Sequence, residues 1–211
     1  MRLILIDPKE ELCSAWEEAF SKHPEVEIRC GYFESVESFD CMVSAANSFG
    51  LMDGGVDLAI INFFGEELEK RVQRHIINEY FGEQPIGTSF IFPTHHSKHP
   101  FIAHTPTMRT PTAITGTDYV YLAMKAILTL IKSGVFEDGT PVQERIQSVA
   151  IPGLGTGVGQ VPPLLCARQM RIAWEDVIQE KYLTEEGWEE LRSNYAYFFT
   201  HDDRDLKYDI P

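Results

Sequence analysis

The sequence predicts an α/β fold: a layer of strands with helices packed on both faces. Two observations carry this. Short apolar runs alternate with longer segments of helical periodicity, with no long linker, internal repeat or low-complexity tract between them. Two glycine-bearing loops, over residues 41–57 and 149–159, each follow directly on an apolar, strand-like run. A chain of 211 residues, 44% of them hydrophobic, fits one large domain and can bury a sizeable core without disulfides or metals.

Taken in order, residues 3–6 (Leu-Ile-Leu-Ile) read as the first strand. A helix over 8–20 follows, with Asp7 placed to cap it and Pro8 suited to its first turn. Residues 26–29 make a short strand. Residues 41–45 are largely apolar, as a central strand buried on both faces would be. Residues 55–81 read as one helix: Leu68, Val72, Ile76 and Tyr80 recur at spacing four, while Glu69, Arg71, Arg74 and Glu79 take other faces. Residues 90–92 and 101–104 look like strands. Residues 119–131 form a strongly apolar helix with Thr117 or Asp118 at its start and Gly134 just past its end. Residues 148–151 are a late strand leading into the second glycine loop, and 162–182 a helix opening on two prolines. The domain so defined spans 1–183. Residues 184–211 form an acidic, aromatic C-terminal extension, expected to pack on the domain or to be partly disordered toward its end.

Charge narrows the function. Eighteen Lys and Arg stand against 32 Asp and Glu, a formal net charge of −14. That opposes nucleic-acid binding through many phosphate contacts. It does not oppose a small anion, because oriented backbone amides bind phosphate without a lysine, and neither glycine loop carries Lys or Arg. The four cysteines are scattered without a CxxC spacing, so the expected compartment is a reducing cytoplasm. The N-terminal apolar run is too short for a signal peptide or a membrane span, and no membrane partner is expected.

The glycine loops carry the chemistry. Glycine permits close approach of a ligand to the backbone, and such loops present N–H groups to phosphates. Four glycines within residues 153–159 raise the entropy cost of ordering the loop, a cost that wrapping a diphosphate explains. In α/β sheets, ligands bind beyond the carboxyl ends of the strands, which is where both loops fall. A dinucleotide fingerprint on the second loop would need an acidic residue ending the next strand, but Glu175 and Asp176 lie in a helical pattern. His95, His96, His99 and His104 match no standard zinc spacing, so no metal is expected, and no GxSxG motif supports a serine nucleophile. Arg109 is the one cation placed near the cleft, with a surface-exposed arginine as the commoner reading.

The first loop also resembles a known signature. Val43-Ser44-Ala45-Ala46-Asn47 followed by Gly54-Gly55-Val56-Asp57 resembles the Val-Asn-Ala-Ala-Asn … Gly-Gly-Gly-Val-Asp pattern of macro domains, with the family's spacing from Asn47 to Asp57. Residues 153–159 resemble the family's second phosphate loop, and Phe101-Ile102-Ala103-His104-Thr105-Pro106 its Ile-His-Thr strand. The resemblance spans most of residues 25–180 and marks a divergent member. It implies a three-layer α/β/α sandwich with a central mixed, largely parallel sheet. It also implies binding of ADP-ribose or a related ADP-ribosyl nucleotide, with ADP-ribosylated protein as a further partner and no cofactor. Some members hydrolyse such ligands, as mono-ADP-ribosyl hydrolases or as ADP-ribose-1''-phosphate phosphatases.

On this resemblance Asn47 and Asp57 are the candidate catalytic residues. The Asn47 amide would hold the distal ribose, and Asp57 would bind that ribose or activate a water for attack at the anomeric carbon. Ala46, Asp53, Gly54, Gly55 and Val56 would line the ligand on the first loop. Gly153, Gly155, Thr156, Gly157, Val158 and Gly159 would wrap the diphosphate from the second, and Tyr32 and Phe33 would meet the base. Simpler readings stand beside these: Asn47 and Asp53 as turn residues, and Asp57 as a first-turn acid favoured by the helix dipole. The departures bear on chemistry. Gly31-Tyr32-Phe33-Glu34 stands where the family keeps a Gly-Asp-Ile whose aspartate reads adenine, Ser44 replaces an Asn, and Leu58-Ala59 replaces the course toward Ile-His-Arg of hydrolytic members. These changes favour the alternative of a non-catalytic nucleotide-binding or interaction module.

Overall fold

Six strands form one sheet in the computed structural model, which describes residues 1–181. In chain order they are β1 (Arg2–Asp7), β2 (Val26–Cys30), β3 (Cys41–Ser44), β4 (Phe90–Pro93), β5 (Phe101–His104) and β6 (Ser148–Ile151). Across the sheet the order is β2-β1-β6-β3-β5-β4, parallel throughout except for antiparallel β4 at one edge. The helices are α1 (Glu10–Ala19), α2 (Gly55–Phe64), α3 (Glu67–Tyr80), α4 (Tyr119–Ser133), α5 (Val142–Arg145) and α6 (Pro163–Val177).

Side-chain alternation along the strands divides the core into two layers. Leu3, Leu5, Cys41, Val43, Val149 and Ile151 face α1, α4 and α6, where Trp16, Leu128 and Trp174 are buried. Ile4, Ile6, Met42, Ile102 and Ala150 face α2 and α3, where Ile60, Leu68, Val72 and Ile76 close the other side. The result is a three-layer α/β/α sandwich whose central strands are apolar on both faces.

The structure corrects several local expectations. The helix read over 55–81 is two helices. Apolar spacing runs on through the junction, but Gly65 sits at φ 99°, a backbone region only glycine enters freely, and ends α2. Asp7 does not cap α1. The N-cap is Lys9, and the Asp7 carboxylate accepts instead from the N–H of Lys9 (3.0 Å) and of Gly153 (3.2 Å). The last helix stops at Val177, and α5 is a short turn of helix that the sequence did not signal. No described helix is long and apolar enough to cross a membrane. The acidic extension lies outside the described residues.

What positions the site is the centre of the sheet. β6 pairs with β3 through only two residue pairs, Cys41↔Val149 and Met42↔Ala150. Beyond them the strands part at their carboxyl ends, and each releases one of the two glycine loops into the gap.

Candidate functional site

The first loop leaves β3 at Ser44. It runs beside the segment after β5, with the Ala46 N–H donating to the Thr105 carbonyl (3.2 Å) and the Thr107 N–H to that of Ala46 (2.9 Å). Asn47 then turns the chain. Its Oδ1 accepts from the N–H groups of Phe49 (3.1 Å) and Leu51 (3.3 Å), and its Nδ2 donates to the Leu51 carbonyl (2.7 Å). This is the turn chemistry that asparagine supplies, and it fixes most of the amide inside its own loop. Met52 is buried, and its N–H is held by the Glu69 carboxylate of α3 (2.9 Å). Asp53 and Gly54 are exposed, and α2 begins at Gly55.

Asp57 is the third residue of α2 and only 8% exposed. Its Oδ1 accepts the Ser44 hydroxyl at 2.6 Å. Burial pushes the carboxyl up to about 7 against the opposing pull of that hydrogen bond, and the charge of Asp53 adds to the upward shift. Near neutral pH Asp57 is therefore poised between acid and carboxylate.

The second loop is shaped by lack of space. A Cβ on Gly153 would meet Thr156 Oγ1 at 2.6 Å and Asp7 Oδ2 at 2.8 Å. Gly155 combines φ +68° with an Ile114 methyl 2.8 Å from where a Cβ would stand. On Gly159 a Cβ would press on the Gly155 carbonyl and on Ile114. Only Gly157 of the four has nothing within 4 Å of where a Cβ would stand. The loop closes through Gln160 N–H to Gly157 O (3.0 Å) and Val161 N–H to Gly155 O (3.1 Å). Among the described residues the N–H groups of Thr156, Gly157 and Val158 make no hydrogen bond, and neither do those of Gly55, Val56 and Asp57 at the start of α2.

Between the loops runs a cleft of two compartments. One, about 130 Å³, holds Ala46, Asn47, Asp53, Gly54, Asp57, Gly155, Val158 and Gly159. The other, about 280 Å³, holds Tyr32, Phe33 and Thr156. Gly55, Val56, Gly153 and Gly157 line both and form the waist between them. The fold thus brings every candidate site residue to one continuous cleft. Phe33 is buried and packed edge-on against Phe63 (5.4 Å between centroids), whereas Tyr32 is 67% exposed at the rim.

Sequence reasoning missed Leu51, Thr107, Met108 and Pro111 in the first compartment and residues 6–9 in the second. Asp7 is a hub there. Its carboxylate holds Gly153 and Lys9, and its carbonyl accepts from the Gly31 N–H (3.0 Å) and the Cys13 thiol (3.2 Å). The rule that sites sit beyond the carboxyl ends of strands applied equally to β1 and would have found it. Arg109 is not in the cleft: it forms a two-bond ion pair with Glu83 (2.5 and 2.9 Å) on the surface. The histidines do not gather. His96 and His99 stack on each other, while His104 is wholly buried, with Nδ1 2.7 Å from Gln84 Oε1 and Nε2 without a partner. Burial pushes His104 down to about 3, with the His75 charge adding to it.

Comparison with known proteins places this geometry. The chain is 36% identical over 132 residues to an "Uncharacterized protein" of Aquifex aeolicus (strain VF5), covering 62% of this chain and 70% of that one. It is similar in fold to the macrodomain of Mycobacterium tuberculosis DarG, with TM-score 0.56 and 20% identity over 69% of this chain and 87% of that one. It is likewise similar to the Oceanobacillus iheyensis macrodomain with ADP, with TM-score 0.55 and 24% identity over 84% of this chain and 87% of that one. The macro domain family model matches residues 43–170, more than half of the sequence and both glycine loops, and the chain belongs to that family.

Proposed function

We propose that this protein binds ADP-ribose or a closely related ADP-ribosyl nucleotide. The observation that carries the reading is the two-compartment cleft whose waist is lined by backbone from both glycine loops. Unpaired N–H groups beside it suit a diphosphate. The distal ribose would lie in the first compartment against Asn47 and Asp57, and the base in the second against Tyr32 and Phe33. Structures similar in fold include macrodomains with ADP or ADPR, which supports the ligand class. Residues 1–183 would act as one domain. Four free cysteines agree with a reducing, cytoplasmic setting.

The cleft also suits hydrolysis of an ADP-ribosyl bond. A carboxyl near 7 is matched to work as a general base at neutral pH, with the loops supplying orientation. The rate would then rise with pH through about 7 as Asp57 ionises. One observation favours a second reading, a binding module for ADP-ribosylated protein: the Asn47 amide and the Asp57 carboxyl are both engaged within the protein rather than free. Calorimetric titration with ADP-ribose tests binding, and absence of heat at millimolar ligand rejects it. Release of ADP-ribose from a mono-ADP-ribosylated protein separates the two readings: Asp57→Ala abolishes turnover while retaining binding if Asp57 is the base, and unchanged turnover removes it from that role.

A further inference from the structure

We infer that Lys9 forms a phosphate site on the base side of the cleft, taking the phosphate nearer the base, and that Asp7 and Lys9 together strap the second glycine loop into its binding shape. This rests on the reading of the cleft as a nucleoside-diphosphate site. In a chain of net charge −14, Lys9 is, among the described residues, the only Lys or Arg lining either compartment. Its Nζ donates to the Thr156 carbonyl at 2.9 Å, at the apex of the second loop. Among the described residues it pairs with no carboxylate, whereas most other surface cations here do, Arg2, Arg29, Arg109, Arg145 and Lys132 among them.

An ammonium has three N–H donors, and the bond to Thr156 uses one. The other two are free to reach an anion placed over the unbonded N–H groups of residues 156–158. A charge-assisted bond from lysine to phosphate is stronger than a neutral one. Asp7 sets the geometry. Its two carboxylate oxygens hold the Lys9 N–H and the Gly153 N–H, so the start of α1 and the root of the second loop share one anchor. The loop is thus tied at Gly153 by Asp7 and at Thr156 by Lys9. Its glycines bring backbone amides, and the β1–α1 junction adds the positive charge the loop lacks.

The test is titration of the full chain with ADP-ribose, ADP, inorganic pyrophosphate and adenosine at low and high salt. The wild type is compared with Lys9→Met, Lys9→Arg and Asp7→Asn. Lys9→Met is expected to weaken ADP-ribose and ADP about tenfold and to flatten their salt dependence, while adenosine changes less than about twofold. Lys9→Arg restores most of the loss. Asp7→Asn weakens ADP-ribose, ADP and pyrophosphate together without flattening the salt dependence. Unchanged ADP binding in Lys9→Met, or an equal loss for adenosine, overturns the phosphate site. If the wild type binds ADP or pyrophosphate in a Lys9-dependent way but not ADP-ribose, the proposed function fails and the phosphate site stands. If the wild type binds none of the phosphate-bearing ligands, both fail.

Discussion

The two glycine loops look alike in sequence and are held by different physics. In the first, Gly54 and Gly55 stand in the open, with nothing within 4 Å of where a Cβ would be. Gly50 is the exception, at φ +68° with Val72 2.8 Å from where a Cβ would stand; the rest of that loop is shaped by polar side chains: Asn47 bonding its own backbone, Glu69 holding Met52, and Ser44 holding Asp57. In the second, three of four glycines are wedged against neighbours, and shape comes from crowding plus the Asp7–Lys9 strap. The difference teaches that glycine near a phosphate site has two separable causes: room for the ligand, and lack of room for the protein.

Substitutions break this contrast in order of expected effect. Gly159→Ala should cost about 3 kcal/mol in urea unfolding, because its methyl would press on backbone that cannot move aside. Gly54→Ala, in open space and at an extended φ of −152°, should stay within about 0.5 kcal/mol. Equal costs for the two would abolish the distinction between the loops.

Asp57→Asn probes the polar side of the comparison through pH. The folded-state value of about 7 lies above the ordinary carboxylate range, so the folded protein holds the proton more tightly than the unfolded chain does. The stabilisation that follows is complete in acid and is lost as pH rises through 7. Against wild type, the asparagine variant should gain about 2 kcal/mol between pH 5 and pH 8. A constant difference across that range would mean that Asp57 is ionised throughout. Asn47→Ala comes next, with a loss of about 1.5 kcal/mol from bonds to Phe49 and Leu51. Amide exchange should speed up over residues 47–52 and leave 153–159 unchanged, and a change in both loops would show that they are coupled.

Much of this was legible in the sequence for identifiable reasons. β1, β3, β5 and β6 are short apolar runs next to helical periodicity, and that pattern dictates layers. The glycine loops announced themselves by composition. The break at Gly65 did not, because Phe64 and Leu68 continue the apolar spacing across it and only the backbone angle separates α2 from α3. Asp7 could have been found from its place at the carboxyl end of β1, but which loop it and Lys9 meet, and the place of Thr107 and Met108, were illegible for a different reason. They reach the cleft through parallel pairing of β1 with β6 and of β3 with β5, contacts between segments far apart in the chain that no local pattern records. The engagement of Asn47 with its own loop was a stated alternative from turn chemistry, and the structure contains those bonds.

The buried His104 has a bearing on acid tolerance. With its proton affinity lowered to about 3, its contribution to stability declines as pH falls below the ordinary histidine value of about 6.5. Asp57 moves the other way, adding stability as the solution acidifies from about 7 toward 4. One group resists proton uptake and the other welcomes it over nearly the same interval. Their opposed titrations offset each other in part, and His75 and His99, both also lowered by burial, set the balance toward loss of stability as the solution acidifies.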